Sequence, residues 1–128
     1  MKLLLDTHAL LWWLTDDAQL SAMARQWLGD EGNQVLVSAV SAWEIATKQR
    51  IGKLQGIAPV ADWYSDLVAA DGFLHLPVTH AHALRAGAYA VDHRDPFDRM
   101  LAAQAELESL PLLTCDAALV AFACKTVW

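Results

Sequence analysis

Short apolar runs alternate along this chain with longer segments in which apolar residues recur at helical spacing. The runs are Lys2–Leu5, Val35–Val37, Phe73–Val78, Leu110–Thr114 and a terminal stretch, Lys125–Trp128. Runs this short and apolar are typical of strands buried on both faces of a sheet. Strands separated by helices predict right-handed crossovers and a parallel sheet covered on both faces. The pattern therefore predicts an α/β fold with a central parallel sheet of four to five strands, in which Lys125–Trp128 is an edge strand.

Helices are predicted between these strands from apolar periodicity and from capping residues. The first predicted helix ends near Leu14, and the second spans Ala18–Leu28. A third contains Trp43–Lys48 and is capped by Ser38 or Ser41. A fourth runs from Pro59 to about Ala70, and a fifth spans His80–Ala90 after a cap at Thr79. The sharpest signal is Asp95-Pro96-Phe97-Asp98, which places a cap, a first-turn proline and a first-turn acid in order. A last short helix is expected to begin at Asp116.

Length and composition limit the function classes. A chain of 128 residues with 55% apolar residues is expected to fold as a single domain, 1–128, and is too apolar for a disordered acidic tail. Two cysteines, Cys115 and Cys124, exclude a disulfide scaffold and favour a reducing compartment. We find no signal peptide or membrane span and expect a cytoplasmic protein. The net charge of −6 argues against broad electrostatic binding of nucleic acid.

Acidic residues stand where predicted strands end and helices begin. Asp6 follows the first strand, and Asp116 follows the fourth. Glu44 lies early in the helix after the second strand, and Asp98 lies in the first turn of another helix. Sites of parallel sheets lie outside the carboxyl ends of the strands. We therefore expect these acids to converge.

Clustered carboxylates need a cation. Two like charges about 4 Å apart repel by about 4 kcal/mol at an effective dielectric near 20. Oxygen-rich pockets suit Mg²⁺ or Mn²⁺, and no Cys/His spacing in the sequence suggests zinc. Such ions activate a water and hold a phosphodiester for in-line displacement. No glycine-rich phosphate loop follows a predicted strand, which disfavours a nucleotide-binding enzyme.

Four segments of the chain resemble the motifs of PIN-domain ribonucleases, and specifically those of VapC-like toxins of bacterial toxin–antitoxin pairs. In order, they are Leu3–His8, Ser38–Ile45 with the following Arg50–Leu54, His93–Leu101 and Leu113–Asp116. The resemblance covers the chain from Leu3 to about Asp116. A single Asp-Thr pair carries no information, but four motifs in order at this length are specific.

The resemblance implies a PIN-like three-layer α/β/α sandwich and a Mg²⁺-dependent endoribonuclease, with Mn²⁺ as a possible substitute. It assigns catalysis and metal binding to Asp6, Glu44, Asp98 and Asp116, with Asp6 and Asp98 as the most direct ligands, and it places Thr114 beside the fourth acid as a supporting hydroxyl. It also implies an RNA substrate, a small antitoxin that occludes the site, and a homodimer.

Some of these acids have simpler structural explanations. Asp6 and Asp116 could each cap the helix that follows. Asp95 and Asp98 compete for the third position, and we assign Asp95 as the cap and Asp98 as the ligand. His8 and His93 flank the motifs, and we expect them beside the site, with a substrate contact as the alternative.

Five of the nine basic residues lie near the second and third motifs: Lys48, Arg50, Lys53, Arg94 and Arg99. They could hold RNA phosphates at the rim of the site. The alternative is a solvated face with intrahelical pairs, such as Glu44 with Lys48. The six tryptophans exceed what one small core needs, so some are candidates for an interface.

Two functions from other classes compete with a nuclease. A phospho-acceptor signalling domain would need an Asp after the middle strand and a Lys after the last, and neither Val78-Thr79 nor the chain end supplies them. A non-catalytic module could use the acids only to bind a metal or a partner.

Overall fold

The computed structural model describes all 128 residues and contains one five-stranded sheet. The strands are β1 (Lys2–Leu5), β2 (Gln34–Ser38), β3 (Leu74–Leu76), β4 (Leu112–Leu113) and β5 (Thr126–Val127). Their order in the sheet is β3-β2-β1-β4-β5, and every neighbouring pair is parallel. The predicted parallel sheet is confirmed, and β5 lies at its edge as expected. The carboxyl ends of all five strands therefore lie at the same end of the sheet.

Six α-helices connect the strands: α1 (Thr7–Leu14), α2 (Ala22–Gly29), α3 (Ala39–Arg50), α4 (Tyr64–Ala70), α5 (His80–Ala88) and α6 (Pro96–Leu107). Two 3₁₀ turns cover Val60–Trp63 and Ala117–Ala121. None of the helices is both long and apolar enough to cross a bilayer.

The sheet separates two apolar cores, because successive side chains of a strand point to opposite faces. Leu5 of β1 packs in a core with apolar residues of α1, α2 and α4. Its neighbour Leu4 packs in a second core with residues of α5 and α6. Both leucines are fully buried. The predicted three-layer α/β/α sandwich is thus confirmed.

Several predicted boundaries were wrong by a few residues. α2 begins at Ala22 and not at Ala18, because Ser21 caps it by accepting a hydrogen bond from the amide of Ala24 at 3.0 Å. The segment after Pro59 begins as a 3₁₀ turn before α4 starts. β3 ends one residue before Pro77, which has no amide hydrogen for the ladder.

Candidate metal and catalytic site

Asp6 is the first residue after β1, at the carboxyl end of the central strand, and is 4% exposed. Its Oδ1 accepts a hydrogen bond from the amide of Ala9 at 3.0 Å and so caps α1. Its Oδ2 accepts a hydrogen bond from the hydroxyl of Thr114. Burial raises the pKa of Asp6 above its ordinary value, while these two hydrogen bonds oppose the rise. Asp6 is therefore both a helix cap and a buried carboxyl group at the strand ends.

Asp116 lies near Asp6 because β4 is the direct neighbour of β1. Its backbone amide donates to the hydroxyl oxygen of Thr114 at 3.0 Å, and its Oδ1 accepts from the amide of Ala118 at 2.9 Å. Cys115, between Thr114 and Asp116, has a raised thiol pKa because of burial and because of the charges of Asp6 and Asp116. Thr114 thus connects the two acids through one hydroxyl group.

Glu44 lies in the second turn of α3 and is only 2% exposed. Its Oε2 is 2.5 Å from Nζ of Lys48, one helical turn away. Its Oε1 is buried and accepts no hydrogen bond. A hydrogen bond of 2.9 Å between the hydroxyls of Thr7 and Ser41 holds this part of α3 beside the start of α1.

Asp98 lies in the first turn of α6, which Asp95 caps through the amides of Phe97 and Asp98, as predicted. Oδ2 of Asp98 is 2.9 Å from Nε2 of His93. Burial raises the pKa of Asp98 to about 6, and the hydrogen bond to His93 opposes that rise. The negative charges that raise it further are those of Asp95, Glu44 and Asp116. The charges of Glu44 and Asp116, which belong to two other chain segments, thus act on Asp98.

The acids converge without forming a closed cage. No three His, Cys, Asp or Glu side chains lie close enough together to hold one metal ion. Each predicted acid instead has a partner within the protein, such as Lys48 for Glu44 and His93 for Asp98. The donor set still fits a divalent cation, because these are hard oxygen ligands and Oε1 of Glu44 is a buried carboxyl oxygen with no donor.

The five basic residues that were predicted as possible RNA contacts fall into two groups. Lys48 pairs with Glu44, as the alternative explanation held, and Arg99 donates all its assigned hydrogen bonds to backbone carbonyls. Both are thus engaged inside the protein, whereas their expected contact with RNA phosphates stays a prediction. Arg50, Lys53 and Arg94 are exposed and form no ion pair, so they stay candidates for phosphate contacts.

Sequence reasoning missed several contacts around the acids. The bond between Thr7 and Ser41 joins residues 34 positions apart and leaves no signal in either segment alone. The ring of Trp43 meets that of Phe97 edge to face, with centroids 4.9 Å apart. Trp43 directly precedes Glu44, and Phe97 directly precedes Asp98. An aromatic residue before each of these two acids was the signal that could have indicated the contact between Trp43 and Phe97.

Comparisons with known proteins agree with this architecture. The family model described as PIN domain matches residues 3–123. Ribonuclease VapC22 of Mycobacterium tuberculosis is 30% identical over 114 residues, which cover 88% of this chain and 85% of that protein. Ribonuclease VapC16 of the same organism is 45% identical over 53 residues, so that match spans only 41% of this chain and 38% of the relative.

Two solved structures share the fold. One is a chain of VapBC2 from Rickettsia felis, solved bound to a DNA fragment from its promoter, with a TM-score of 0.69, 11% identity and coverage of 99% of this chain and 98% of that chain. The other is a chain of a toxin–antitoxin complex from Klebsiella pneumoniae, with a TM-score of 0.66, 18% identity and coverage of 98% and 96%. At these identities the likeness concerns the fold.

Proposed function

The chain belongs to the PIN domain family, and on that premise we propose that it is an endoribonuclease that requires a divalent metal ion. The ion is Mg²⁺, or Mn²⁺ in its place, and the substrate is RNA. Two proteins that are similar to this chain in sequence are named ribonucleases. The observation that carries the proposal is the buried Oε1 of Glu44, which has no donor and belongs to the same group of acids as Asp98.

We propose that Asp6 and Asp98 hold the ion most directly and that Glu44 and Asp116 act on it from a greater distance, since no three acids lie close enough to share one ion. A divalent ion bound there neutralises the charge of a phosphodiester and lowers the pKa of water. The protein's own groups prepare the site for it. Thr114 orients Asp6, and Lys48 neutralises part of the charge of Glu44 while leaving one oxygen free.

His93 has a positioning role in this proposal. Its Nε2 lies against Oδ2 of Asp98, and its ring meets Phe122 at a centroid distance of 5.9 Å. The ring is therefore fixed by packing on one side while it holds the carboxylate on the other. A bond of this kind fixes the rotamer of a ligand before the ion binds.

The biological role that we propose is that of a toxin inhibited by an antitoxin protein. The support is that the structural neighbours come from VapBC2 and from a toxin–antitoxin complex. We also propose a homodimer and a location in the cytoplasm, where the two free cysteines stay reduced. Induced expression of the chain is then expected to arrest growth, and expression of Asp6→Asn is not.

Cleavage of a single-stranded RNA with and without Mg²⁺ tests the enzymatic proposal. We expect cleavage that needs Mg²⁺ and stops with EDTA, no cleavage by Asp6→Asn, and parental cleavage by Glu31→Gln, which changes an exposed acid in the turn before β2. Circular dichroism of each variant checks that it is folded. Cleavage by Asp6→Asn at the parental rate would show that Asp6 is wrongly assigned, and metal binding without cleavage would favour a binding module. A mass shift on an Asp after incubation with a small phosphodonor would favour the phospho-acceptor alternative.

A further inference from the structure

Two of the six tryptophans do not pack in either core. Trp12, Trp13, Trp27 and Trp128 pack against the core that lies beside α1 and α2. Trp43 and Trp63, by contrast, are 61% and 60% exposed. An exposed tryptophan leaves a large apolar ring in water, and such a ring is a common anchor for a binding partner. The two exposed tryptophans differ in their surroundings, and that difference indicates what Trp43 binds.

Trp43 lies on the helix that carries Glu44 and contacts the helix that carries Asp98. It directly precedes the buried Glu44 in α3, and it meets Phe97, which directly precedes Asp98 in α6. Phe97 is half-buried and packs against the core beside α5 and α6. The ring of Trp43 is therefore held edge to face on an anchored neighbour while most of its surface stays in solvent. Trp63 has no such aromatic neighbour, and it lies in the 3₁₀ turn before α4.

Two exposed arginines lie near Trp43 and Phe97 along the chain. Arg94 lies directly before Asp95, the cap of α6. Arg50 lies seven positions after Trp43 on α3, so Arg50 and Trp43 lie on the same face of that helix. Both arginines are exposed and without ion pairs. Aromatic rings beside cations are the usual platform for single-stranded nucleic acids, because bases stack on the ring while phosphates contact the cations.

From this geometry we infer that Trp43, supported by Phe97, is a stacking platform for one unpaired RNA base next to the cleaved phosphodiester. The inference rests on the proposed function and adds a substrate-contacting residue to it: Trp43, which binds the face of an unpaired base. A base paired in a duplex is stacked on its neighbours and cannot lie on the indole. Trp43 is thus a specificity-determining residue that touches the substrate.

Equilibrium binding in a cleavage-deficient background tests the inference. The probe is a fluorescein-labelled, mixed-sequence single-stranded RNA, and its anisotropy is measured with Asp6→Asn protein in Mg²⁺. In that background, Trp43→Ala is expected to raise the Kd by roughly 5- to 150-fold, the effect of losing one stacked base. Trp43→Phe is expected to restore most of the affinity. Trp43→Leu, which keeps apolar bulk without a stacking ring, is expected to resemble Trp43→Ala, and Trp63→Ala is the matched control and leaves the Kd unchanged.

A scan with single abasic substitutions in the RNA locates the base. One abasic position is expected to weaken binding to the tryptophan-containing protein and to have no further effect in Trp43→Ala. Parental affinity in Trp43→Ala or in Trp43→Leu, or no measurable RNA binding by the Asp6→Asn protein, overturns the inference. So does a change from dimer to monomer in Trp43→Ala with an unchanged Kd, which would make this surface an interface between copies. The nuclease proposal fails on a different measurement: the protein that retains Asp6 would then show no Mg²⁺-dependent cleavage of RNA.

Discussion

Thr114 and Asp6 join the carboxyl ends of two adjacent strands through a hydrogen bond from the hydroxyl of Thr114 to Oδ2 of Asp6. The sheet register makes this contact possible, because Leu5 of β1 pairs with Leu113 of β4 and the next residue of each strand is Asp6 or Thr114. Both residues are buried. The hydroxyl also accepts from the amide of Asp116, so one side chain orients two acids of the candidate site.

Thr114→Val keeps the shape of the side chain and removes its hydroxyl. Oδ2 of Asp6 then loses its donor and the amide of Asp116 loses its acceptor, so both acids become less well oriented. We expect RNA cleavage to fall roughly 10- to 100-fold, as is usual when a residue that orients a metal ligand is replaced. Isothermal titration with Mg²⁺ should show a weaker metal affinity, and Thr114→Ser should restore most of both properties.

The matched control for that experiment is Thr126→Val in β5. Thr126 is also a strand threonine, but its hydroxyl forms no hydrogen bond in the structure. The change there should leave cleavage and Mg²⁺ affinity as in the parent. Equal losses in both variants would show that the effect of Thr114→Val comes from the strand and not from Asp6.

Asp98 links the site to the pH dependence of stability. Its pKa is raised to about 6 in the folded protein, mainly by burial, from an ordinary value of 3.8. The folded state therefore binds more protons than the unfolded state between about pH 4 and pH 6, and the stability of the parent protein falls as pH rises through that range. Above about pH 6 the penalty is complete, and below about pH 4 it disappears because both states are protonated.

Asp98→Asn should remove this penalty while its amide oxygen still accepts from His93. The whole shift corresponds to about 3 kcal/mol, which solvent screening of a partly exposed side chain reduces to about 1 to 2 kcal/mol. In EDTA at pH 7.5, urea unfolding should thus show the variant to be more stable than the parent by that amount, and the difference should shrink towards pH 4. A difference that does not depend on pH would contradict the assigned pKa.

The sequence predicted the parts of this structure that local patterns determine. Apolar runs and capping residues located every strand and the start of α6 at Asp95-Pro96. The convergence of Asp6 and Asp116 followed from one rule about parallel sheets. What could not be predicted depends on contacts between distant segments. Gln104 is an example, since its position on α6 suggests only helix interior, yet it is fully buried and accepts a hydrogen bond from Ser38 at 2.5 Å.

The role of basic residues was also out of reach of sequence patterns. Lys48, Arg94 and Arg99 all lie near motifs with acidic residues, but charge alone does not say which cation faces solvent. Arg94 is exposed, whereas Arg99, five residues along, is surrounded by carbonyl oxygens. That outcome depends on the path of the chain between α5 and α6, which has no regular secondary structure to predict.

Ser38 is expected to matter more for stability than an ordinary cap. Its hydroxyl accepts from the amide of Val40 at 3.0 Å and donates to Oε1 of the buried Gln104. Ser38→Ala should thus lower the free energy of unfolding by about 2 to 4 kcal/mol, the sum of a lost cap and of a buried acceptor left without its donor. Ser21→Ala removes a cap alone and should cost about 1 kcal/mol. Urea unfolding compares the two, and equal losses would show that the bond to Gln104 contributes nothing.

Arg99 is expected to hold the segment between α5 and α6 in place. Its guanidinium donates to the carbonyl oxygens of Ala86 at 2.8 Å, Tyr89 at 2.6 Å, and Val91 and His93 at 2.9 Å each. The last of these bonds fixes the residue whose ring contacts Asp98.

Arg99→Lys keeps the charge but cannot reproduce these four bonds, because an ammonium group on a shorter stem lacks the planar fork of a guanidinium. We expect it to lose about 2 to 4 kcal/mol of stability in urea and to cleave RNA more slowly with little change in KM. The control is Arg94→Lys, an equally conservative change at an exposed arginine, which should leave stability unchanged. If Arg99 instead contacts RNA phosphate, Arg99→Lys will keep the parental stability and raise KM, and the positioning role will be wrong.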